Sequence, residues 1–202
     1  MEDAVTVAIL AGGKSSRMGT DKSFVPLLGK TLIQHVLERV GSLGLPTILI
    51  TNRPAAYAPL GLPMYGDLLA GKGSLGGLYT AISCSQTLYT LCVACDMPFL
   101  NPALLAHLIS LRAGYDAIVP RLDGFPEALH AVYSKGCLGA IREKLEQDQL
   151  KAISFYGQVR LRFVEEDEVR RFDPALRSFV NVNTPEELAR LQAATADDSP
   201  AT

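Results

Sequence analysis

The chain has 202 residues, a formal net charge of −2 and 20% charged residues, which argues against the basic footprint of a nucleic-acid-binding protein. It has no tryptophan, no apolar run approaches the roughly 18 residues of a spanning helix, and the opening MEDAV lacks the basic region of a secretory signal. Four cysteines without such a signal are expected in a reducing compartment, the cytoplasm. The length suits one core, so a single domain over 1–194 is expected, followed by a disordered tail over 195–202.

The first predicted element is VTVAIL at 5–10, an apolar and β-branched run of the kind found in the inner strand of a parallel sheet. It breaks at Ala11-Gly12-Gly13, where missing side chains let a backbone loop close around a ligand. Lys14, Arg17 and Lys22 follow, with the hydroxyls of Ser15, Ser16 and Thr20. Backbone amides, hydroxyls and cations at the carboxyl end of a strand suit a polyphosphate. A Walker A loop would need glycine where Ala8 stands, and no Gly-x-Gly-x-x-Gly follows the first strand.

A short apolar piece, 24–30, leads to a helix capped by Thr31, with Leu32, Ile33, Val36, Leu37 and Val40 at helical spacing. Gly41 and Gly44 end it, and His35 is read as a boundary residue. A strand over 46–51, closed by Asn52-Arg53-Pro54, completes a βαβ unit. After a proline-rich stretch, a short strand over 62–65 ends at Gly66-Asp67. Gly71, Gly73 and Gly76 then form a literal Gly-x-Gly-x-x-Gly. The preceding strand is short and broken by Pro63, so these glycines better suit a loop that lets substrate approach, before a helix over 75–83.

A strand over 88–94 stops at Cys95-Asp96. Cys92 and Cys95 form a formal C-x-x-C, but residues three apart on a strand face opposite ways, and no second pair completes a metal site. Asp96 at the end of a buried strand is a candidate Mg²⁺ ligand. The next helix has its own cap in Asn101-Pro102, with Leu104, Leu105, Leu108 and Ile109 behind it. A strand over 117–120, a turn at Asp123-Gly124 and an antiparallel strand over 128–133 follow. His130 reads either as a core histidine or as a ligand contact. Helices over 135–147 and 150–155 and a strand over 159–164 are expected, and the charged run 165–171 reads as a solvated face. Thr184, Pro185 and Glu187 spell a capping box, and Asn181 and Asn183 alternate along an extended segment. These elements predict a three-layer αβα, Rossmann-like domain with a mostly parallel sheet and one antiparallel strand. The opening loop, Asp67 and Asp96 converge on one sheet edge.

Leu10-Ala11-Gly12-Gly13-x-Ser15-x-Arg17-Met18-Gly19-x-Asp21-Lys22 resembles the signature of nucleotidyltransferases, and most of all that of the molybdenum cofactor guanylyltransferase family. The resemblance implies the nucleotide-diphospho-sugar transferase fold, with GTP and molybdopterin as substrates and a Mg²⁺ ion held by Asp96 of the Asp-x-Pro element. It places Leu10, Ala11, Gly12, Gly13, Ser15, Lys22, Asn52, Asp67 and Asp96 around GTP. Arg17 would help to hold the outer phosphates, and Lys22 would stabilise charge at the α-phosphate. His130, within Ala128-Leu129-His130-Ala131-Val132-Tyr133, and the asparagines of Asn181-x-Asn183-Thr184-Pro185 would line the acceptor side. The family loop Gly-Pro-Leu-Ala-Gly stands here as Gly73-Ser74-Leu75-Gly76-Gly77, with proline and alanine replaced. The same resemblance allows a cofactor-delivery or molybdoenzyme partner. Rival readings are a cytidylyltransferase for the same pterin, whose opening reads Leu-Ala-Ala-Gly, a sugar-1-phosphate nucleotidyltransferase, and a non-catalytic adaptor.

Overall fold

The computed structural model describes residues 4–11, 22–182 and 187. Strand β1 (Val5–Leu10) is buried at every position. It lies between two parallel neighbours, β4 (Thr47–Ile50) and β6 (Tyr89–Ala94), and has helices over both faces. Its two-residue period divides the core. Val5, Val7 and Ile9 pack with helices α1 (Leu32–Gly41) and α4 (Pro102–Ser110). Ala8 and Leu10 pack with α3 (Gly73–Cys84) and α5 (Leu138–Glu146).

The sheet runs β10 (Leu161–Glu165), β7 (Ala117–Leu122), β9 (His130–Ser134), β6, β1, β4, β5 (Met64–Tyr65), with β8 (Phe125–Pro126) paired to β7. β9 is antiparallel to both β6 and β7, as expected, and the two-residue β8 returns antiparallel through the Asp123-Gly124 turn. Both turn residues have positive φ, 48° and 81°, which aspartate tolerates and glycine favours. A separate hairpin joins β2 (Pro26–Leu27) to β3 (Lys30–Thr31).

Local signals account for the helix starts. The Gln34 side-chain oxygen accepts from the Thr31 amide at 2.8 Å, half of a capping box. Asn101 accepts from the amides of Ala103 and Leu104 at 2.9 and 3.2 Å, and Pro102 occupies the first turn. The proline-rich stretch after β4 is more regular than expected. It folds as α2 (Pro54–Tyr57) and a 3₁₀ turn (Ala58–Leu60).

Four expectations are corrected. Helix α3 begins at Gly73 rather than 75. The segment 150–155 is a series of turns leading into a 3₁₀ turn, Tyr156–Gln158, and not a helix. Phe155 and Tyr156 are buried there, with their rings 5.0 Å apart and Phe155 6.1 Å from Tyr133, so core packing overrides the local pattern. The helix expected from 135 begins as a 3₁₀ turn, Lys135–Cys137, because the Ser134 hydroxyl accepts from the Gly136 amide at 3.1 Å. The run 165–171 is more than a solvated face. It closes β10 and forms α6 (Glu166–Val169), with Val169 buried, His107 Nε2 and Glu168 Oε1 2.7 Å apart, and Glu165 paired with Arg121. The capping box around Thr184 and the tail lie outside the described residues.

Candidate active site

The carboxyl ends of β1, β4, β5 and β6 finish side by side. Ala11 N donates to Ile50 O at 2.9 Å, Thr51 N to Tyr65 O at 2.8 Å, and Cys95 N to Leu10 O at 3.2 Å. Parallel strands ending together in an open sheet create a ligand crevice. The loops leaving them carry Ala11, Asn52, Asp67 and Asp96.

Asp96 is half-buried, just beyond β6. Burial raises its carboxyl above the ordinary carboxylate value, its own backbone amide and the Lys22 ammonium oppose this, and the Glu187 carboxylate reinforces it. Lys22 and Glu187 thus act electrostatically on Asp96. Lys22 opens a 3₁₀ turn, Lys22–Phe24. The next residue, Ser23, donates to the sulfur of Cys95 at 3.1 Å. Glu187 was read from the sequence only as a capping residue, and its position here depends on tertiary folding.

Asn52 and Asp67 form a two-bond clip. Asn52 Nδ2 donates to Asp67 Oδ2 at 2.8 Å, and the Asp67 amide donates to Asn52 Oδ1 at 2.8 Å. The clip joins the loops after β4 and β5. Its surroundings demand small residues. A Cβ on Gly77 would come within 3.2 Å of Leu10 Cδ2 and 3.9 Å of Asp67 Oδ1, and one on Gly66 within 3.3 Å of Asn52 Oδ1. The loop before α3 is pinned by Leu68 N, which donates to the Thr80 hydroxyl at 3.0 Å. Gly71 and Gly73 have φ of 75° and 58°, so these glycines serve a left-handed turn. Lys72, between them, reaches away to Asp148 at 2.6 Å and Leu145 O at 3.0 Å.

One acceptor-side candidate, Asn181, lies in the segment after α6. Val182 N donates to Asp96 O at 3.1 Å, which draws the strand-like stretch containing half-buried Asn181 alongside Asp96. The Asn181 amide lies 3.4 Å from Phe179 O. His130 is fully buried on β9, with its ring 4.5 Å from that of Phe179. Neither ring nitrogen has a hydrogen-bond partner among the described residues. Burial pushes its pKa down to about 3, against a weaker upward pull from Asp173, so the ring is neutral. Gly12, Gly13, Ser15, Arg17 and Asn183 lie outside the described residues.

Of the C-x-x-C pair, Cys92 is buried in the core shared with α3 and α5, and Cys95 packs on the opposite side.

Comparison with known proteins places this geometry in a family. The family profile described as a MobA-like NTP transferase domain matches residues 7–160. A molybdenum cofactor guanylyltransferase of Desulfosudis oleivorans is 37% identical over 194 residues, covering 95% of this chain and 96% of that protein. A probable molybdenum cofactor guanylyltransferase of Pelotomaculum thermopropionicum is 37% identical over 185 residues, 92% of this chain and 90% of its own length. The crystal structure of molybdopterin-guanine dinucleotide biosynthesis protein A from Archaeoglobus fulgidus superposes with a TM-score of 0.82 at 30% identity, covering 95% of this chain and 99% of that one. With its strand order, its crevice and its near full-length similarity in agreement, the chain belongs to the MobA-like NTP transferase family.

Proposed function

We propose that this protein transfers the guanylyl group of GTP to the terminal phosphate of molybdopterin cofactor and releases pyrophosphate. The observation that carries the reading is the convergence of Lys22, Asp96 and the Asn52–Asp67 clip on one edge of the sheet, in a chain that matches guanylyltransferases over nearly its whole length.

A phosphate oxygen of the acceptor attacks the α-phosphorus, a new P–O bond forms, and the bond to the β-phosphate oxygen breaks. Such a transfer depends on positioning and charge neutralisation more than on covalent help from the protein. The Asn52–Asp67 clip lies at the nucleoside side and holds Asp67 in one orientation. Gly12 and Gly13, with neighbouring amides and Arg17, hold the outer phosphates. Lys22 sits where charge develops at the α-phosphate. Asn181 and Asn183 line the acceptor side, with His130 packed against Phe179.

Magnesium fits the donor set at Asp96. This carboxylate is partly desolvated and feels the repulsion of a second carboxylate, Glu187, so a cation there is electrostatically favoured. Magnesium takes few protein ligands and keeps water and phosphate oxygens for the rest. Bound there, it would supply charge neutralisation to the phosphate oxygens. Among the described residues no helix is long and apolar enough to cross a membrane. The four cysteines are not joined in disulfides, which accords with a reducing cytoplasm. Handover of the finished cofactor to a delivery protein or a molybdoenzyme belongs to the same reading.

Pyrophosphate release from GTP, CTP and ATP, each with magnesium and with or without molybdopterin cofactor, tests the proposal. Release from GTP alone, and only with the pterin, is expected. Preference for CTP would overturn the base assignment, and release without the pterin would overturn the acceptor.

A further inference from the structure

Lys22 and Asp96 are carried by neighbours that touch. Ser23 follows Lys22 directly and Cys95 precedes Asp96 directly, and the Ser23 hydroxyl donates to the Cys95 sulfur at 3.1 Å. Behind them the Tyr57 hydroxyl donates to Ser23 Oγ at 2.7 Å. Tyr57 is 0% and Ser23 1% exposed, and the Phe24 ring lies 4.9 Å from the Tyr57 ring. The three residues come from different parts of the fold: the turn after the opening loop, α2, and the loop after β6.

We propose that Tyr57, Ser23 and Cys95 form a positioning brace that sets the separation of Lys22 and Asp96, and so the alignment of the α-phosphate for attack. This rests on the reading of Lys22 and Asp96 as the catalytic pair. Lys22 lies in a single 3₁₀ turn and Asp96 in a turn beyond β6, so neither backbone is held there by the main sheet ladder. A hydrogen bond between their immediate neighbours restricts both at once. Tyr57 and Ser23 are buried, so water does not compete for the bond between them, and the Ser23–Cys95 bond is part-buried. The alternative is a chain that only satisfies buried hydroxyls. That role would affect stability and leave the balance between kcat and KM unchanged.

The test uses the full chain with Ser23→Ala, Cys95→Ala, Cys95→Ser and Tyr57→Phe. A misplacement of reacting groups by about 1 Å can cost on the order of a hundredfold in rate. Ser23→Ala and Cys95→Ala are therefore expected to lower kcat about ten- to hundredfold, with KM for GTP within about twofold of the parent. Cys95→Ser keeps an acceptor and should recover most of the rate. The Ser23→Ala/Cys95→Ala double variant should be no slower than Ser23→Ala, because Ser23→Ala already removes the only bond that Cys95→Ala takes from the brace. Tyr57→Phe should give a smaller fall in kcat.

A second readout is independent of turnover. Val25 N and Val182 N donate to the carbonyls of Lys22 and Asp96 at 3.0 and 3.1 Å. Exchange of these two amides should accelerate about tenfold in Ser23→Ala and Cys95→Ala. Should Ser23→Ala fail to fold, the Cys95→Ala and Cys95→Ser pair carries both measurements. Parental kcat and parental exchange in folded variants would overturn the brace. A parent that releases no pyrophosphate would overturn the functional reading instead, and amide exchange would then decide the brace alone.

Discussion

Asn52→Asp probes the site with almost no change of shape. Asn52 Nδ2 now donates to Asp67 Oδ2 at 2.8 Å. The substitution replaces that donor with a second carboxylate oxygen. Asn52 is exposed, so a water-like dielectric applies, and two unit charges at the 2.8 Å spacing repel by about 1.5 kcal/mol. Loss of a hydrogen bond to a charged group adds about 1.5 kcal/mol. The loop relieves part of this by swinging Asp67 away, so about 2–3 kcal/mol appears as a lower population of the competent arrangement, or roughly 30- to 150-fold weaker GTP binding. Asn52→Ala removes the bonds without the repulsion and should cost about tenfold. Titration calorimetry with GTP at pH 8 measures both variants. Equal affinities for the Asp and Ala variants at pH 8, or parental affinity in both, would refute the role of the clip in presenting Asp67.

Asp96→Asn should abolish magnesium-dependent turnover. It should also raise the melting temperature of the metal-free protein at neutral pH: the folded carboxyl holds its proton to a higher pH than the unfolded one, so its ionisation costs stability as pH rises through that window. A lower melting temperature would contradict this. Lys22→Ala should reduce kcat more than GTP affinity, read from steady-state kinetics beside direct binding. His130 works in the opposite sense to Asp96. Its pKa is about 3 when folded, against an ordinary value of 6.5, so the unfolded chain takes up the proton first and stability falls as pH drops below 6.5. Linkage gives a loss of about 2 kcal/mol at pH 5, and His130→Leu should flatten that part of a denaturation series between pH 7.5 and pH 5. Asn101→Ala should lower stability by about 1 kcal/mol through loss of the α4 cap, measured by urea unfolding.

The fold was legible wherever one local rule dominated. β1 and β6 are apolar runs, as inner parallel strands require, and Asn101-Pro102 announces α4 through a side-chain acceptor and a fixed φ. Legibility failed where distant packing outweighed local preference. Residues 150–155 carry a helical pattern, but Phe155 and Tyr156 are claimed by the aromatic cluster around Tyr133, and the backbone turns to deliver them. The run 165–171 reads as solvated because its charges are visible in sequence and their partners Arg121 and His107 are not.

The site divides along the same line. Asp67 and Asp96 could be placed from sequence because the carboxyl ends of parallel strands are where such sheets bind ligands, and strand ends can be read from pattern. What holds those residues could not be read. The Asn52–Asp67 clip spans 15 positions, the Ser23–Cys95 bond 72 and the Tyr57–Ser23 bond 34. A serine, a cysteine and a tyrosine so far apart carry no motif, since each is an ordinary buried residue until the chain closes. Motifs therefore point to the residues proposed to meet the phosphates. The precision of their arrangement comes from residues of unremarkable type, and for this chain those residues are Tyr57, Ser23 and Cys95.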